Sequence, residues 1–432
     1  MTVLIDEEKQ ALADFLDASP TAWHAVSQAS EKLKNNGFQE LKEEASWNIQ
    51  PGKKYFVVRN GSSLCAFITP SKEIKSARIV ASHTDSPGLK LKPNAEFRKE
   101  NMIMLGVEVY GGPLLTSWLN RDLGIGGRIY YLDSSDKVCS STLRLDDHPV
   151  TIPQLAIHLD RQVNENGLIL NKQDHLSALA ALASDKDDKK NYLETLIREK
   201  LDYSSLLGHD FFLYPLEKAR FLGYNQELIA SYRIDSLASV HSALTALCSS
   251  MEPLENQLKM AIFWDNEEVG SSTSQGAGSP FFPQILERIS LARKMSREDY
   301  LRIGSQSICI SVDLGHALHP NYSEKHDPRH QPLLGQGILL KSNAQQRYIT
   351  DAESGAFIAR LCRKNDIPLQ KFVSRSDISC GTTIGPIHAS LTGMKTVDIG
   401  CAQLSMHSIR ELMACQDVID MTRLLTAALN DE

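Results

Sequence analysis

The chain has 432 residues, of which 42% are hydrophobic and 23% charged, with a formal net charge of −7. Its length exceeds what one hydrophobic core usually supports, so two domains are expected, and its composition is that of an ordinary globular protein. No apolar stretch of about 18 residues could span a bilayer, and no basic run is dense enough to neutralise a series of phosphates, so neither a membrane nor a nucleic acid is an expected partner.

The opening stretch MTVLIDEEKQALADF is acidic and lacks a basic-then-apolar leader, which points to a cytoplasmic protein. Helical patterns follow over Glu7 to Leu16 and Ala22 to Asn35, the second closed by Gly37. The β-branched run SARIVAS then leads into His83. From about 92 to 226 the pattern changes: glycines crowd (Gly106, Gly111, Gly112, Gly124, Gly126, Gly127), strand-like pieces such as VEVY and RIYYL recur, and SDKDDKK (Ser184 to Lys190) reads as an exposed loop. This stretch is expected to be an inserted β-rich domain over 92–226, leaving 1–91 and 227–432 as a discontinuous sheet domain.

Beyond the insert, Asp235 precedes Leu237, Val240, Leu244 and Leu247 at helical spacing. The runs AIFW, SICISV and KTVDIG lead respectively to Asp265 with Glu267 and Glu268, to Asp313, and across a short loop to His407. Thr350 with Glu353, and Ser408 with Glu411, fit capping boxes. Strands alternating with helices imply an α/β fold with a mainly parallel sheet covered on both faces. Open sheets of this kind place their sites beyond the carboxyl ends of the strands.

Five of these residues, His83, Asp235, Glu268, Asp313 and His407, could ligate metal. Each has a bland alternative: a lone histidine is usually a satisfied polar group, an Asp before a helix a cap, and a Glu–Glu dipeptide a solvated surface. Together they offer one histidine and one carboxylate to each of two ions, plus a carboxylate to bridge ions about 3.5–4 Å apart. Asp235 is the expected bridge. The nitrogen and oxygen donors suit Zn²⁺, with Mn²⁺ or Co²⁺ as alternatives, and the eight scattered cysteines form no CxxC pair. Asp85, two residues after His83, would share its face in an extended segment and steady the imidazole, or serve as a turn residue before Ser86 and Pro87. Of the paired glutamates Glu267 and Glu268, one can bind metal while the other draws a proton from the metal's water.

The segments HTDSP (His83 to Pro87), AIHLDR (Ala156 to Arg161), RIDSL (Arg233 to Leu237), DNEEVGS (Asp265 to Ser271), SVDLGHALHPNY (Ser311 to Tyr322), RSDISCGTTIGPI (Arg375 to Ile387) and MHSIRE (Met406 to Glu411) resemble the aspartyl aminopeptidase family of dinuclear zinc metallopeptidases in its order. SPTAWHA (Ser19 to Ala25) is similar to the family's opening helix. The resemblance implies a zinc-aminopeptidase-like fold, with one ion on His83, Asp235 and Asp313, the other on Asp235, Glu268 and His407, and Glu267 as general base. It implies that two divalent ions hold a hydroxide that attacks short peptides at N-terminal Asp or Glu.

The same resemblance makes His158 a donor to the carbonyl oxygen in a neighbouring subunit, within a large self-compartmentalising homo-oligomer such as a tetrahedral dodecamer; the bland reading is a core histidine on an apolar strand. Lys341 aligns with a lysine that reads an acidic substrate side chain, against an ordinary surface lysine. Related enzymes prefer neutral, bulky residues. His316, His319 and Arg375 fall inside matched motifs as pocket lining. The competing readings are a related dinuclear carboxypeptidase or deacylase, which the inserted domain's match disfavours, and a catalytically decayed assembly or cargo scaffold, which the complete ligand set disfavours.

Overall fold

The structure, a computed structural model, describes residues 2–183, 191–250 and 252–431. The charged SDKDDKK segment lies outside the described residues. The chain divides into two compact units: Met1–Ser86, Ala219–Met406 and Glu411–Glu432 form the first, Pro87–Lys218 and His407–Arg410 the second.

The first unit is a mixed α/β fold built on a nine-stranded sheet. Its strands are β1 (Gln39–Leu41), β2 (Lys54–Arg59), β3 (Ser63–Ile68), β4 (Ser76–His83), β5 (Gln257–Trp264), β6 (Ile308–Val312), β7 (Ile338–Lys341), β8 (Leu369–Phe372) and β9 (Lys395–Gly400). Across the sheet they run β1-β2-β3-β5-β4-β6-β9-β7-β8. The pairs β5/β4, β4/β6 and β6/β9 are parallel, as are β1/β2 and β7/β8; β2/β3, β3/β5 and β9/β7 are antiparallel.

Strand periodicity sends alternate side chains into two separate cores. Phe56, Leu64, Ala66, Val80, Phe263 and Ile310 face one cluster, packed by α1 (Thr2–Ala18), α2 (Ala22–Asn35), α3 (Ile234–Ser249), α6 (Ala352–Lys364) and α8 (Cys415–Leu429). Their neighbours Tyr55, Val57, Phe67, Ile79, Ile262 and Cys309 face the other, packed by α4 (Phe281–Ala292), α5 (Arg297–Gln306) and α7 (Ile384–Thr392). With helices on both faces the central strands are buried along most of their length, Arg78, Ser82, Lys259, Ser311 and Asp398 included, which explains their short apolar runs. A smaller sheet orders Arg220–Leu222, Leu228–Ser231, Glu411–Ala414, Ala402–Leu404 and Gly315–His316, and pairs Ser231 with Glu411.

The second unit has a six-stranded sheet in the order Val138–Val150, Leu123–Leu132, Ser205–Pro215, Gly88–Lys99, Met102–Tyr110 and Ala178–Leu182, every neighbouring pair antiparallel. The VEVY and RIYYL runs lie inside two of these strands.

Two local expectations are corrected. The cap of α6 is Asp351, not Thr350: Asp351 accepts from Ser354 N at 2.7 Å, while Thr350 Oγ1 accepts from Asp398 N at 2.9 Å and serves the edge of β9. Ser408 caps no helix, because Glu411 opens the Glu411–Ala414 strand and α8 starts only at Cys415.

Candidate metal centre

Three strands that are neighbours in the sheet, β5, β4 and β6, end together, and each passes a polar residue to the same edge. His83 closes β4, Asp313 follows β6, and the Asp265–Glu268 segment follows β5. Gly400 at the end of β9 lets this edge close up: a Cβ there would collide with the Asp313 carbonyl, and Asp313 N donates to Ile399 O at 3.0 Å. Asp235 arrives from the start of α3, where Asp235 and Ser236 depart from helical torsions.

His83 is 1% exposed. Its Nδ1 lies 3.0 Å from the Asp85 carbonyl oxygen and 3.3 Å from Asp85 Oδ1. A carbonyl oxygen only accepts, so Nδ1 carries the proton, and Nε2 is the atom turned toward the remaining carboxylates. That nitrogen is 3.4 Å from Asp235 Oδ1 and 3.5 Å from Asp313 Oδ1. A lone pair facing two carboxylate oxygens is repulsive unless a proton or a cation lies between them. Burial opposes charge on His83, but Asp235, Asp313 and Asp85 outweigh it and raise its pKa well above the ordinary value. The geometry therefore calls for positive charge at one point.

The ligand atoms of His83, Asp235 and Asp313 all lie within 4.8 Å of one another, and so do those of His83, Glu267 and Glu268. Imidazole nitrogen with carboxylate oxygens and no thiolate is a donor set that fits Zn²⁺. Asp313 is further fixed by Leu314 N, which donates to Oδ1 at 2.7 Å, and has Lys341 Nζ 3.6 Å from Oδ2.

Glu267 and Glu268 sit in a short turn between Asn266 and Gly270, both in the left-handed region with φ of 62° and 97°. Their backbone N–H groups donate to Asp85 Oδ1 and Oδ2, each at 3.1 Å. Asp85 thus holds the His83 imidazole and the paired-glutamate turn with one carboxylate. Enclosure of Glu267 raises its pKa well above the ordinary carboxylate range; His83 opposes the rise, while Glu268, Asp313 and Asp85 add to it. Asp265, buried beneath the turn, is pushed up to about 7 by burial and by Asp85.

Lys341, at the end of β7, is 1% exposed and lies 5.3 Å from the Tyr348 ring centroid, so the ordinary surface reading of this residue is wrong. The apolar residues around it gave no local cue to an ion pair with Asp313. His158 lies on an exposed turn of the second unit and is not a core histidine on a strand. His407, grouped with that unit, adopts φ 65°; its Nδ1 is 3.1 Å from Gly112 O. Of the motif residues given no specific role, His316 is exposed beside Phe372 and Arg375 is paired with Asp377 at 2.7 Å.

Three residues to which sequence reasoning gave no part in the site reach it. Ser86 donates to Asp235 O, Glu411 accepts from Asp235 N, and Arg233, in the left-handed region, reaches Ser86, Thr84 and Ser19. All three lie in the quoted motifs, but nothing in those motifs distinguishes their contacts.

Residues 15–428 match the family described as aminopeptidase I zinc metalloprotease, M18. A probable M18 family aminopeptidase 2 of Streptomyces avermitilis is 42% identical over 424 residues, spanning 97% of this chain and 96% of that relative. A chain in the cryo-electron-microscopy structure of the Ape4 and Nbr1 complex overlays with a TM-score of 0.94 at 34% identity, over 99% of this chain and 86% of that one. The S. cerevisiae mApe1 dodecamer structure overlays with a TM-score of 0.84 at 29% identity, over 98% and 96%.

Proposed function

The chain belongs to the aminopeptidase I zinc metalloprotease family, M18, and from that membership we propose that it removes N-terminal Asp or Glu residues from short peptides with two zinc ions per chain. The single observation that carries the reading is His83 Nε2 held against Asp235 and Asp313 with the Glu267–Glu268 turn beside them. In the proposed arrangement His83, Asp235 and Asp313 hold one ion, and Asp235, Glu268 and His407 the other. Mn²⁺ and Co²⁺ are the alternative occupants. Bound ions would supply Lewis acidity, polarising the scissile carbonyl and lowering the pKa of bound water toward about 7.

The chain's own residues supply the rest. Glu267 takes the proton from the attacking water and returns it to the leaving amine. Asp85 fixes the distance between the imidazole and the glutamate turn. His158 donates to the carbonyl oxygen from a neighbouring copy, a role compatible with its exposed turn, where Leu155, Ile157 and Leu159 are exposed as well. The second unit would then serve self-association into a large homo-oligomer, for which we propose a tetrahedral dodecamer; the S. cerevisiae mApe1 structure is a dodecamer. Lys341 is proposed, on the resemblance alone, to read the acidic side chain; its ammonium is buried 3.6 Å from Asp313 Oδ2. Among the described residues no helix is long and apolar enough to cross a membrane, and a cytoplasmic location is part of the proposal.

The test is a panel of aminoacyl chromogenic amides with the chelated and zinc-reloaded protein. Hydrolysis of aspartyl and glutamyl amides, abolished by chelator and restored by zinc, is the expected result. A preference for neutral residues would overturn the specificity, activity only on amine-blocked substrates would return the deacylase reading, and silence on every substrate would leave a scaffold.

A further inference from the structure

The residue proposed to serve both ions, Asp235, stands where α3 has not yet become helical: its torsions are φ −84° and ψ 110°. Its N–H stands in the first turn, where the helix supplies no acceptor, and its C=O leaves a residue of non-helical torsions. Both are met by side chains from distant segments. Asp235 N donates to Glu411 Oε2 at 2.9 Å, and Asp235 O accepts from Ser86 Oγ at 2.6 Å, across 176 and 149 residues of sequence respectively. Ser86 is itself held, since Arg233 Nε donates to its Oγ at 3.2 Å, and the same guanidinium donates to the carbonyls of Thr84 and Ser19.

Glu411 is 2% exposed, one more carboxylate in a region already rich in them. Burying another negative charge there raises the electrostatic cost of the site and is not what packing alone selects. Its carboxylate supplies an acceptor for the Asp235 N–H. The Leu228–Ser231 and Glu411–Ala414 strands pair Ser231 with Glu411, which brings the carboxylate to the residues that follow Ser231.

We propose that Glu411 and Ser86, the latter seated by Arg233, are positioning residues that clamp the backbone of Asp235 and so fix the carboxylate through which metal is held. The inference rests on the two-ion reading above. Metal sites depend on placement to within about 0.5 Å, and loss of a residue that orients a ligand typically costs about 10–100-fold in metal affinity. Arg233 links this clamp to Ser19, which makes the N-terminal SPT segment part of the same frame.

The experiment titrates zinc into the chelated full-length protein by calorimetry, with bound metal counted by mass spectrometry, for wild type, Glu411→Met, Glu411→Gln and Ser86→Ala. Wild type taking up two ions upholds the underlying reading; one ion or none removes that reading whatever the variants do. Given two ions, Glu411→Met is expected to be folded and to bind zinc about 10–100-fold more weakly, with turnover recovered at high zinc. Glu411→Gln, which keeps an oxygen for the Asp235 N–H, is expected to bind close to wild type. Wild-type affinity in Glu411→Met, or equal weakness in Glu411→Gln, would overturn the clamp. Should Glu411→Met fail to fold, Ser86→Ala decides: weakened zinc binding supports the clamp and unchanged binding refutes it.

Discussion

Replacing Asp85 with Asn probes how one carboxylate organises two parts of the site. Asp85 Oδ1 and Oδ2 each accept a backbone N–H, from Glu267 and Glu268, at 3.1 Å, and Oδ1 also lies 3.3 Å from His83 Nδ1. Asn is isosteric but offers a single acceptor, and its NH₂ would point at one of the two N–H groups. One charge-assisted bond, worth about 1.5–3 kcal/mol, is lost, and a donor is set against a donor. If about half of that loss falls on the geometry of the glutamate turn, kcat/KM should drop by about 4- to 12-fold, since about 1.4 kcal/mol is a factor of ten. The assay is steady-state hydrolysis of an aspartyl amide at saturating zinc, beside metal content and circular dichroism. A folded variant with wild-type kcat/KM would show that the Asp85 carboxylate does not set the turn, and the positional argument would be withdrawn.

Glu267→Gln should stay folded and metal-loaded while kcat falls by at least about 10²-fold, the usual worth of a general base; undiminished kcat would remove Glu267 from that role. His158→Phe should lower kcat without altering zinc content, and unchanged kcat would leave its exposed turn without a catalytic part. Asp265, at about 7, binds its proton more tightly folded than unfolded, where an ordinary Asp titrates near 3.8. Its contribution to the stability of the chelated protein is therefore fully present below about 4 and lost as pH rises toward and through 7. Asp265→Asn should accordingly gain stability over wild type in chelator between pH 5 and pH 8, as read from thermal unfolding at several pH values, and a difference independent of pH would refute the assignment.

The strand ends are legible in the sequence because β4, β5 and β6, buried on both faces, each carry a short apolar run that an ionisable residue terminates: His83 closes β4, while Asp265 and Asp313 directly follow β5 and β6. That they are neighbours in the sheet is a matter of topology, which no single run encodes. The capping signals fail for a related reason. Thr350 and Glu411 satisfy the local spacing of a cap, yet the hydroxyl of one is taken by Asp398 and the carboxylate of the other by Asp235. Long-range partners outbid the local ones. Lys341 is invisible in the same way, because its burial depends on Asp313 and Tyr348 and not on its neighbours in sequence.

The most direct test of the central claim is an anomalous-diffraction experiment on zinc-loaded crystals of the full-length protein. The account requires two zinc peaks about 3.5–4 Å apart with the Asp235 carboxylate between them and Glu267 facing the solvent site they share. A single peak, or two peaks with Asp235 bound to neither, would contradict it.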